Sequence, residues 1–214
     1  MKLYLHPLSS YCQKALTAFY EKEIPFEPKF LDGSAPVAGE FAALWPIGKF
    51  PFLVDGERKI FEATGIIDYL EAKFPAAPRL LPADHLAAAE ARMWDRFFDN
   101  YIGYPQGRLV LAAIGREADD GGARWRAALD TAYAILDERM AARQWAVGDR
   151  FTIADCAAAP HLLYADWSHP IAERFSRLRA YRGRLLKRPS YARALDEARP
   201  YRHMFPLGAP KDRD

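Results

Sequence analysis

Residues 9 to 12, Ser-Ser-Tyr-Cys, bring two hydroxyl groups and a thiol together at a predicted strand-to-helix junction. The short apolar run from Lys2 to Leu5 ends at His6-Pro7, and helical spacing of apolar residues starts at Tyr11. A helix N-terminus offers free amides and the positive end of the helix dipole, so a serine there can donate a hydrogen bond to a thiolate and favour the ionised sulfur. The pattern therefore indicates chemistry on the thiol of a bound molecule.

The two serines can divide the capping and catalytic roles in two ways. Ser10 and Gln13 stand three positions apart before an apolar run, which is the spacing of a capping box. We therefore assign the helix cap to Ser10 and the thiol chemistry to Ser9. The reverse assignment, with Ser10 as the catalytic serine, is kept as the alternative.

The sequence contains two cysteines, Cys12 and Cys156. Cys12 falls one turn into the first predicted helix, so we interpret it as an inert core residue. An exposed Cys12 at the helix start would instead have a lowered pKa and could exchange with other thiols. Cys156 lies in the apolar run from Ile153 to Ala159 and is also predicted to be core. Two such distant cysteines predict neither a disulfide framework nor a metal site.

Strand and helix patterns alternate around this junction. A second strand is predicted at 26–30, parallel to the first because a helix crosses over between them. Further predicted elements are a weak helix at 37–44, a hairpin at 52–61 around Asp55-Gly56, and an amphipathic helix at 62–74. The proline-rich segment Pro75–Pro78 ends this mixed region.

No convincing strand pattern follows the proline-rich segment, and the second half of the chain is predicted to be helical. Its helical patterns lie at 85–114, 123–142, 171–186 and 190–197. A further helix opens at Thr152, which can cap the free amides while Asp155 reaches back to the Thr152 amide. The tail after Pro200 is predicted to be irregular.

Composition and charge exclude several kinds of partner. Thirty Lys and Arg against 28 Asp and Glu leave a net charge of +2, which gives no electrostatic reason to expect nucleic acid. The N-terminus has too few apolar residues before Pro7 for a signal peptide or a membrane span. We therefore expect a cytoplasmic protein that binds neither membrane nor nucleic acid and uses no metal.

Taken in order, these elements and motifs resemble the cytosolic glutathione transferases, and the resemblance covers nearly the whole chain. Its carriers are Ser9-Ser10-Tyr11-Cys12, Gly48-Lys49-Phe50-Pro51-Phe52, Glu62-Ala63 and Thr152-Ile153-Ala154-Asp155. The spacing from Ser9 to Ile24-Pro25 is similar to the serine-type classes, theta or zeta. The resemblance implies a thioredoxin-like α/β domain at 1–78 that binds glutathione, followed by an all-α helical-bundle domain at 84–214.

The resemblance also implies roles for particular residues. Residues 9–12 are similar to the C-x-x-C frame of glutaredoxins with the first cysteine replaced, so Ser9 is expected to meet the glutathione thiol. Pro51 is expected to be cis, with Phe50 presenting its backbone to the peptide-like ligand. Lys49 is expected to face the glycyl carboxylate, and Glu62 the γ-glutamyl end.

Ala63 departs from the pattern of the family. The usual residue is serine or threonine, whose hydroxyl and amide both hold the γ-glutamyl carboxylate, whereas Ala63 retains the amide alone. Thr64 carries a hydroxyl one position late. We therefore expect glutathione to bind, but more weakly than in a chain with the hydroxyl.

In such proteins the helical domain shapes an apolar site for the second substrate. The expected lining here is Phe98, Tyr101, Tyr104 and Arg108, with Tyr164 and Trp167 as further candidates. The leading interpretation is a homodimeric detoxification enzyme that transfers the thiolate of glutathione, its co-substrate, to a small hydrophobic electrophile. One alternative, favoured by an exposed Cys12, is a glutathione-dependent thiol oxidoreductase or peroxidase. The other, favoured by Ala63, is a non-catalytic binding or regulatory protein.

Overall fold

A computed structural model describes residues 1–116 and 122–213. Residues 117–121 and Asp214, which fall within the predicted helical domain, lie outside the described residues. The first part of the chain contains β1 (Lys2–Leu5), α1 (Ser10–Glu21), β2 (Glu27–Phe30), α2 (Ala35–Leu44), β3 (Phe52–Asp55), β4 (Arg58–Phe61) and α3 (Ala63–Lys73). This is the predicted order of elements.

The four strands form one mixed sheet in the order β2-β1-β3-β4. β1 runs parallel to β2 and antiparallel to β3, and β3 forms the predicted hairpin with β4, where Asp55 pairs with Arg58. Pro28 lies on the edge strand β2, where a missing amide costs no hydrogen bond inside the sheet. The Phe50–Pro51 bond that leads into β3 is cis, as predicted.

No strand follows α3 in the described residues 75–116 and 122–213. The helices are α4 (His85–Phe97), α5 (Tyr104–Ala113), α6 (Ala123–Arg139), α7 (Ile153–Ser168), α8 (Ser176–Leu186) and α9 (Pro189–Ala198), with a π-helical turn at Phe98–Gly103 and single 3₁₀ segments at Met140–Ala142 and Arg199–Met204. The fold is therefore a thioredoxin-like region followed by a helical region.

Two predicted helix limits are wrong for identifiable reasons. The pattern at 85–114 is divided by the π-helical turn because Pro105 has no amide to continue the α-helical hydrogen bonds. The helix predicted from residue 171 begins at Ser176, since the Asp166 carboxylate accepts a hydrogen bond from the Ile171 amide (2.7 Å) and holds that segment as a loop.

The predicted capping box at the start of α7 is confirmed. Asp155 accepts the Thr152 amide at 2.8 Å, and the Thr152 side chain accepts the amide three residues on. Asp155 is fully buried and also accepts hydrogen bonds from the Ala146 amide and the Tyr181 hydroxyl. The box therefore joins α7 to the preceding loop and to α8 as well as starting the helix.

Helix α1 connects the two parts of the molecule. It packs against α3 beside the sheet and against α7 and α9 of the helical region. Its residues from Cys12 to Phe19 are all buried, polar ones included. The N-terminal end of α1, where the sequence predicts chemistry, is therefore held from both sides.

Candidate functional site

A cleft of about 370 Å³ lies between the turn before β3 and the start of α3. The five residues predicted to contact the backbone and the ends of glutathione all line it: Lys49, Phe50, Pro51, Glu62 and Ala63. Four residues that were not predicted complete the lining: Tyr11, Trp45, Ile47 and Phe61. Residues from three separate segments of the thioredoxin-like region therefore meet at one surface.

The backbone at the start of α3 has an unusual conformation. Glu62 has φ of 63°, in the left-handed region that non-glycine residues rarely adopt, and it directly precedes the first helical residue, Ala63. Such a conformation costs on the order of 1–3 kcal/mol and is found most often at functional sites. The Glu62 side chain does not cap α3, so the first amides of this helix are available to an anion in the cleft.

Trp45 forms the floor of the cleft beside Phe61. Its indole ring stacks on Phe61 and on Phe52 of β3, with centroid distances of 4.9 and 5.3 Å. The indole nitrogen has no hydrogen-bond partner among the described residues. Trp45 was not predicted to belong to the site, although it lies three residues before Gly48-Lys49 in the same turn.

The structure reverses the predicted assignment of the helix cap. Ser9 is the N-cap of α1, and its side-chain oxygen accepts a hydrogen bond from the Cys12 amide at 3.4 Å, whereas Ser10 is the first helical residue. The predicted capping box fails because the buried Gln13 side chain donates to the Pro7 carbonyl (2.9 Å) and the Tyr164 hydroxyl (2.8 Å). A serine that accepts an amide still has its own hydroxyl proton to donate, so capping and catalysis do not exclude each other at Ser9.

Both cysteines are buried, as the sequence indicated. Burial raises the pKa of the Cys12 thiol to about 12, and hydrogen bonding from Ser9 and the His6 backbone offsets this only in part. Burial also raises the pKa of Cys156 well above its ordinary value. Neither side chain offers a thiolate near neutral pH.

The predicted lining of the second-substrate site needs correction. Phe98 is fully buried in the core, because it begins the π-helical turn on the side that packs against α7. Tyr164 and Trp167 are also buried: Tyr164 accepts the Gln13 hydrogen bond, and both rings contact Phe205. These three residues do not form an open surface.

Tyr101, Tyr104 and Arg108 remain candidates for that lining. Tyr101 and Tyr104 are exposed, at 59% and 52%. The Arg108 guanidinium lies 5.6 Å from the ring centroids of both Tyr104 and Trp125. Tyr104 and Arg108 of α5 and Trp125 of α6 therefore form an aromatic surface with a cationic side chain, and Tyr101 precedes them in the π-helical turn.

A group of buried polar side chains that was not predicted from the sequence lies beside the cleft. We call it the buried charge cluster, and it consists of Lys14, Thr64, Asp95, Asp99 and His161. Lys14 and Asp95 are fully buried, and Asp99 and His161 are nearly so. Two aspartates four residues apart on a helix face that is otherwise apolar were the signal for it.

Lys14 is the centre of this cluster. Its Nζ donates hydrogen bonds to Asp99 Oδ2 (2.8 Å) and to Thr64 Oγ1 (2.9 Å). It also forms an ion pair with Asp95 Oδ1 at 2.6 Å, although the angles of this contact are not those of a hydrogen bond. Thr64 in turn donates to Asp95 Oδ2 at 2.8 Å. The Thr64 hydroxyl is thus already paired and cannot stand in for the hydroxyl that Ala63 lacks.

The remaining charges complete the cluster. Arg96, whose side chain is 44% exposed, pairs with Asp95 and Asp99 and contacts Thr64. His161 Nε2 lies 2.9 Å from Asp99 Oδ1. Burial alone would raise the pKa of Asp99, but the hydrogen bonds with His161 and Lys14 hold it well below its usual value. Two buried carboxylates therefore face two permanent cations and one imidazole.

Tyr11 joins the cluster to the cleft. It lines the cleft, and its ring packs edge-on against His161 with a centroid distance of 4.9 Å. Burial, reinforced by the negative charge of Asp99, raises the pKa of Tyr11 to about 12. Tyr11 belongs to the predicted motif at residues 9–12, but no role was predicted for it.

In the described part of the chain, no helix is long and apolar enough to cross a membrane. Within the same residues, no group of three or more His, Cys, Asp or Glu side chains has the arrangement of a metal site.

Family models and known proteins match both parts of the chain. The model for the glutathione S-transferase N-terminal domain matches residues 3–78, and the model for the C-terminal domain matches residues 119–184. A glutathione S-transferase-like protein of Fusarium sp is 32% identical over 149 residues, covering 68% of this chain and 66% of that protein. Glutathione S-transferase 3 of Zea mays is 31% identical over 164 residues, covering 72% of this chain and 73% of the relative.

The same similarity extends to a solved structure. A glutathione S-transferase from Rhodospirillum rubrum F11 superposes with a TM-score of 0.77 at 28% sequence identity, covering 91% of each chain. The matched segments include the strand-to-helix junction, the cis-proline turn and the start of α3, which together surround the cleft. By its sequence, its fold and the matching family models, this chain belongs to the glutathione S-transferase family.

Proposed function

We propose that this chain is a glutathione transferase that transfers the thiolate of glutathione to a small hydrophobic electrophile. The proposal rests on one observation: a single cleft is lined by Lys49, Phe50, Pro51, Glu62 and Ala63. Its volume of about 370 Å³ lies within the range of ordinary small-molecule sites. The family membership supports the same ligand class.

In the proposed complex, each end of glutathione meets a complementary group. The Ala63 amide at the start of α3 takes the γ-glutamyl carboxylate, and Glu62 faces the γ-glutamyl ammonium. The Phe50 backbone pairs with the central peptide group. Lys49 faces the glycyl carboxylate at the other end of the ligand.

The proposed reaction needs the sulfur in its ionised form. The Ser9 hydroxyl donates a hydrogen bond to the thiolate at the N-terminus of α1, where the helix dipole also favours negative charge. The thiol proton passes to solvent, the sulfur forms a bond to the electrophilic carbon, and a leaving group such as halide departs with the bonding electrons. Reduced glutathione and the electrophile balance the reaction without any other reactant.

Calorimetry and thermal unfolding with glutathione test the ligand. We expect saturable heat and a higher melting temperature, because a ligand that binds the folded state stabilises it. Glu62→Gln should weaken binding, whereas the matched control Glu57→Gln, in the exposed turn of the hairpin, should not. No heat and no stabilisation at millimolar glutathione would contradict the proposal.

A non-catalytic binding protein is the second candidate. It is favoured by Ala63, which lacks the hydroxyl, and by Thr64, whose hydroxyl is paired within the buried charge cluster. Binding of glutathione without turnover of any aryl halide or activated alkene would support this candidate over a transferase. The burial of Cys12 removes the feature that favoured a thiol oxidoreductase.

We also propose that the chain forms a homodimer in the cytoplasm. Large apolar side chains are exposed along α4 and the segment after it, at Leu86, Met93 and Tyr101, with exposures of 82%, 58% and 59%. Ile47, beside the cleft, is 65% exposed. Exposed apolar side chains on one helix face are typical of an interface. Light scattering should give twice the mass of the 24.3 kDa chain, and the mass of one chain would contradict a dimer.

A further inference from the structure

We infer that a second pocket of this protein, separate from the cleft, binds a small organic cation that has an aromatic or other apolar body. The pocket has a volume of about 450 Å³ and lies where α1, β2 and α9 meet, so we call it the α1–α9 pocket. It shares no lining residue with the cleft. The inference therefore goes beyond the proposed function and does not depend on it.

Much of the lining of the α1–α9 pocket is apolar and aromatic. Leu5, Leu16 and Phe19 are buried residues that line it. Phe26, just before β2, packs against Phe19 with a centroid distance of 4.6 Å, and Phe30 of β2 leaves 41% of its surface exposed. A ring or short hydrocarbon that enters this pocket would remove apolar surface from water, which favours binding.

The charges that line the α1–α9 pocket favour a positively charged ligand. They are Glu23, Arg193 and Glu197, so the lining has one more negative than positive side chain. Glu197 is paired, because Arg193 Nε lies 3.2 Å from it and the Tyr20 hydroxyl donates to both of its oxygens. The Glu23 side chain makes no hydrogen bond or ion pair with any other described residue. Charge complementarity therefore points to a ligand with a single positive charge.

Arg193 shows that this lining accommodates a cation. Its guanidinium lies 4.0 Å from the ring centroid of Tyr20 while its Nε contacts Glu197, so an aromatic ring and a carboxylate hold it together. Glu23 and the ring of Phe30 offer the same two kinds of group to a ligand. Aromatic faces attract cations because the ring quadrupole places negative charge on the face.

The backbone at Glu23 is unusual for a glutamate. Its φ of 53° lies in the left-handed region, and the Ile24 amide after it donates to the Phe19 carbonyl at 3.0 Å, which closes the end of α1. Glycine is the usual residue at such a helix end, because it has no Cβ to oppose this conformation. Residues held in such strained conformations occur most often at functional sites. A binding role for the carboxylate accounts for glutamate at this position.

Three probes of similar shape test the charge preference. They are the cation 2-phenylethylammonium, the neutral 2-phenylethanol and the anion 3-phenylpropionate, each titrated into the full chain at pH 7 and followed by NMR. We expect saturable binding of the cation, about threefold to fivefold weaker binding of the alcohol, and the weakest binding of the anion. Absence of saturable cation binding, or an affinity for either other probe that equals or exceeds it, would overturn the inference.

Glu23→Gln tests the carboxylate while keeping the size of the side chain. It should weaken binding of the cation about threefold to fivefold and leave binding of the alcohol unchanged. Glu62→Gln is the matched control, because Glu62 also has a positive φ but lines the cleft. An unchanged cation affinity in Glu23→Gln, or a loss in Glu62→Gln alone, would overturn the inference, since the latter would place the probe in the cleft.

Glu23→Gly separates binding from folding. Glycine adopts the left-handed conformation without steric cost, so this variant should keep or raise the melting temperature of the protein. It should nevertheless weaken binding of the cation as much as Glu23→Gln does. A clear fall in melting temperature would show that the Glu23 side chain stabilises the fold, and the inference of a binding role would then be overturned.

Discussion

The cleft and the buried charge cluster are built from the same helices, α1 and α3, but their polar groups are in opposite states. In the cleft, the first amides of α3 have no side-chain cap, and the Tyr11 hydroxyl has no hydrogen-bond partner among the described residues. In the cluster, Lys14 and Thr64 are already paired, largely out of contact with water. The adjacent residues Ala63 and Thr64 belong to different regions: Ala63 lines the cleft, whereas Thr64 is part of the buried charge cluster. Two neighbouring positions in the sequence therefore contribute to different parts of the molecule.

The largest expected effect tests the cluster through Lys14→Met. This change leaves two buried carboxylates short of one cation, and removal of one partner from a buried ion pair typically costs about 3–5 kcal/mol. Urea unfolding should show a loss of that size. Lys73→Met, which breaks an exposed pair with Asp55, is the matched control and should have a much smaller effect. Equal losses for the two variants would contradict a special role for the cluster.

The pH dependence of stability tests the same region. Because the pKa of folded Asp99 is lowered by His161 and Lys14, its charge stabilises the folded state above the unfolded pKa of about 3.9, and this contribution is lost as pH falls below that value. The difference in unfolding free energy between wild type and Asp99→Asn should therefore be largest at neutral pH and shrink in acid. A difference that grows below pH 4 would show that folding does not lower the pKa of Asp99.

Ser9→Ala tests helix capping and the proposed catalytic role together, because Ser9 is the N-cap of α1, two residues before Tyr11, which lines the cleft. Loss of the cap should cost about 1 kcal/mol of stability. If Ser9 also donates to the thiolate, turnover at pH 6.5 should fall about tenfold or more and largely recover by pH 9, as the thiol ionises without help. The measurements are melting curves and pH–rate profiles with an aryl halide.

Ser10→Ala is the control for both effects. Neither serine is among the residues that line the cleft, but Ser10 is the first helical residue and does not cap α1, so its removal should change stability and the kinetic pKa little. A kinetic shift in Ser10→Ala without one in Ser9→Ala would reverse the assignment of the two serines.

The smallest expected effect tests the cleft through Ala63→Ser. An added hydroxyl at the start of α3 restores one donor to the γ-glutamyl carboxylate, which is worth roughly 0.5–1.5 kcal/mol or somewhat more with a charged acceptor. Glutathione should therefore bind about three- to tenfold more tightly in calorimetry. Ala72→Ser, on an exposed position of the same helix, is the control. Unchanged affinity in Ala63→Ser would mean that the γ-glutamyl end lies elsewhere.

Several features could be predicted from the sequence because they depend on residues close together in the chain. The hairpin around Asp55-Gly56, the capping box of Thr152 and Asp155, and the cis bond before Pro51 follow from local patterns or from the family resemblance, and all are present. Burial of Cys12 follows from helical spacing in the same way. The grouping of residues 49–51 with 62–63 also came from the resemblance, and their glutathione-binding roles stay a prediction.

The order of the elements and the change from mixed to helical structure follow from local sequence patterns, since periodicity and turn residues act over a few positions. Contacts between side chains far apart in the chain depend instead on how the elements pack in three dimensions. Gln13 pairs with Tyr164 instead of forming a capping box, and Phe98 is buried instead of lining a site. The hydrogen bond between Lys14 and Asp99 likewise depends on tertiary packing. The packing of α1, α4 and α7 buries and pairs these groups, and no local sequence pattern predicts it.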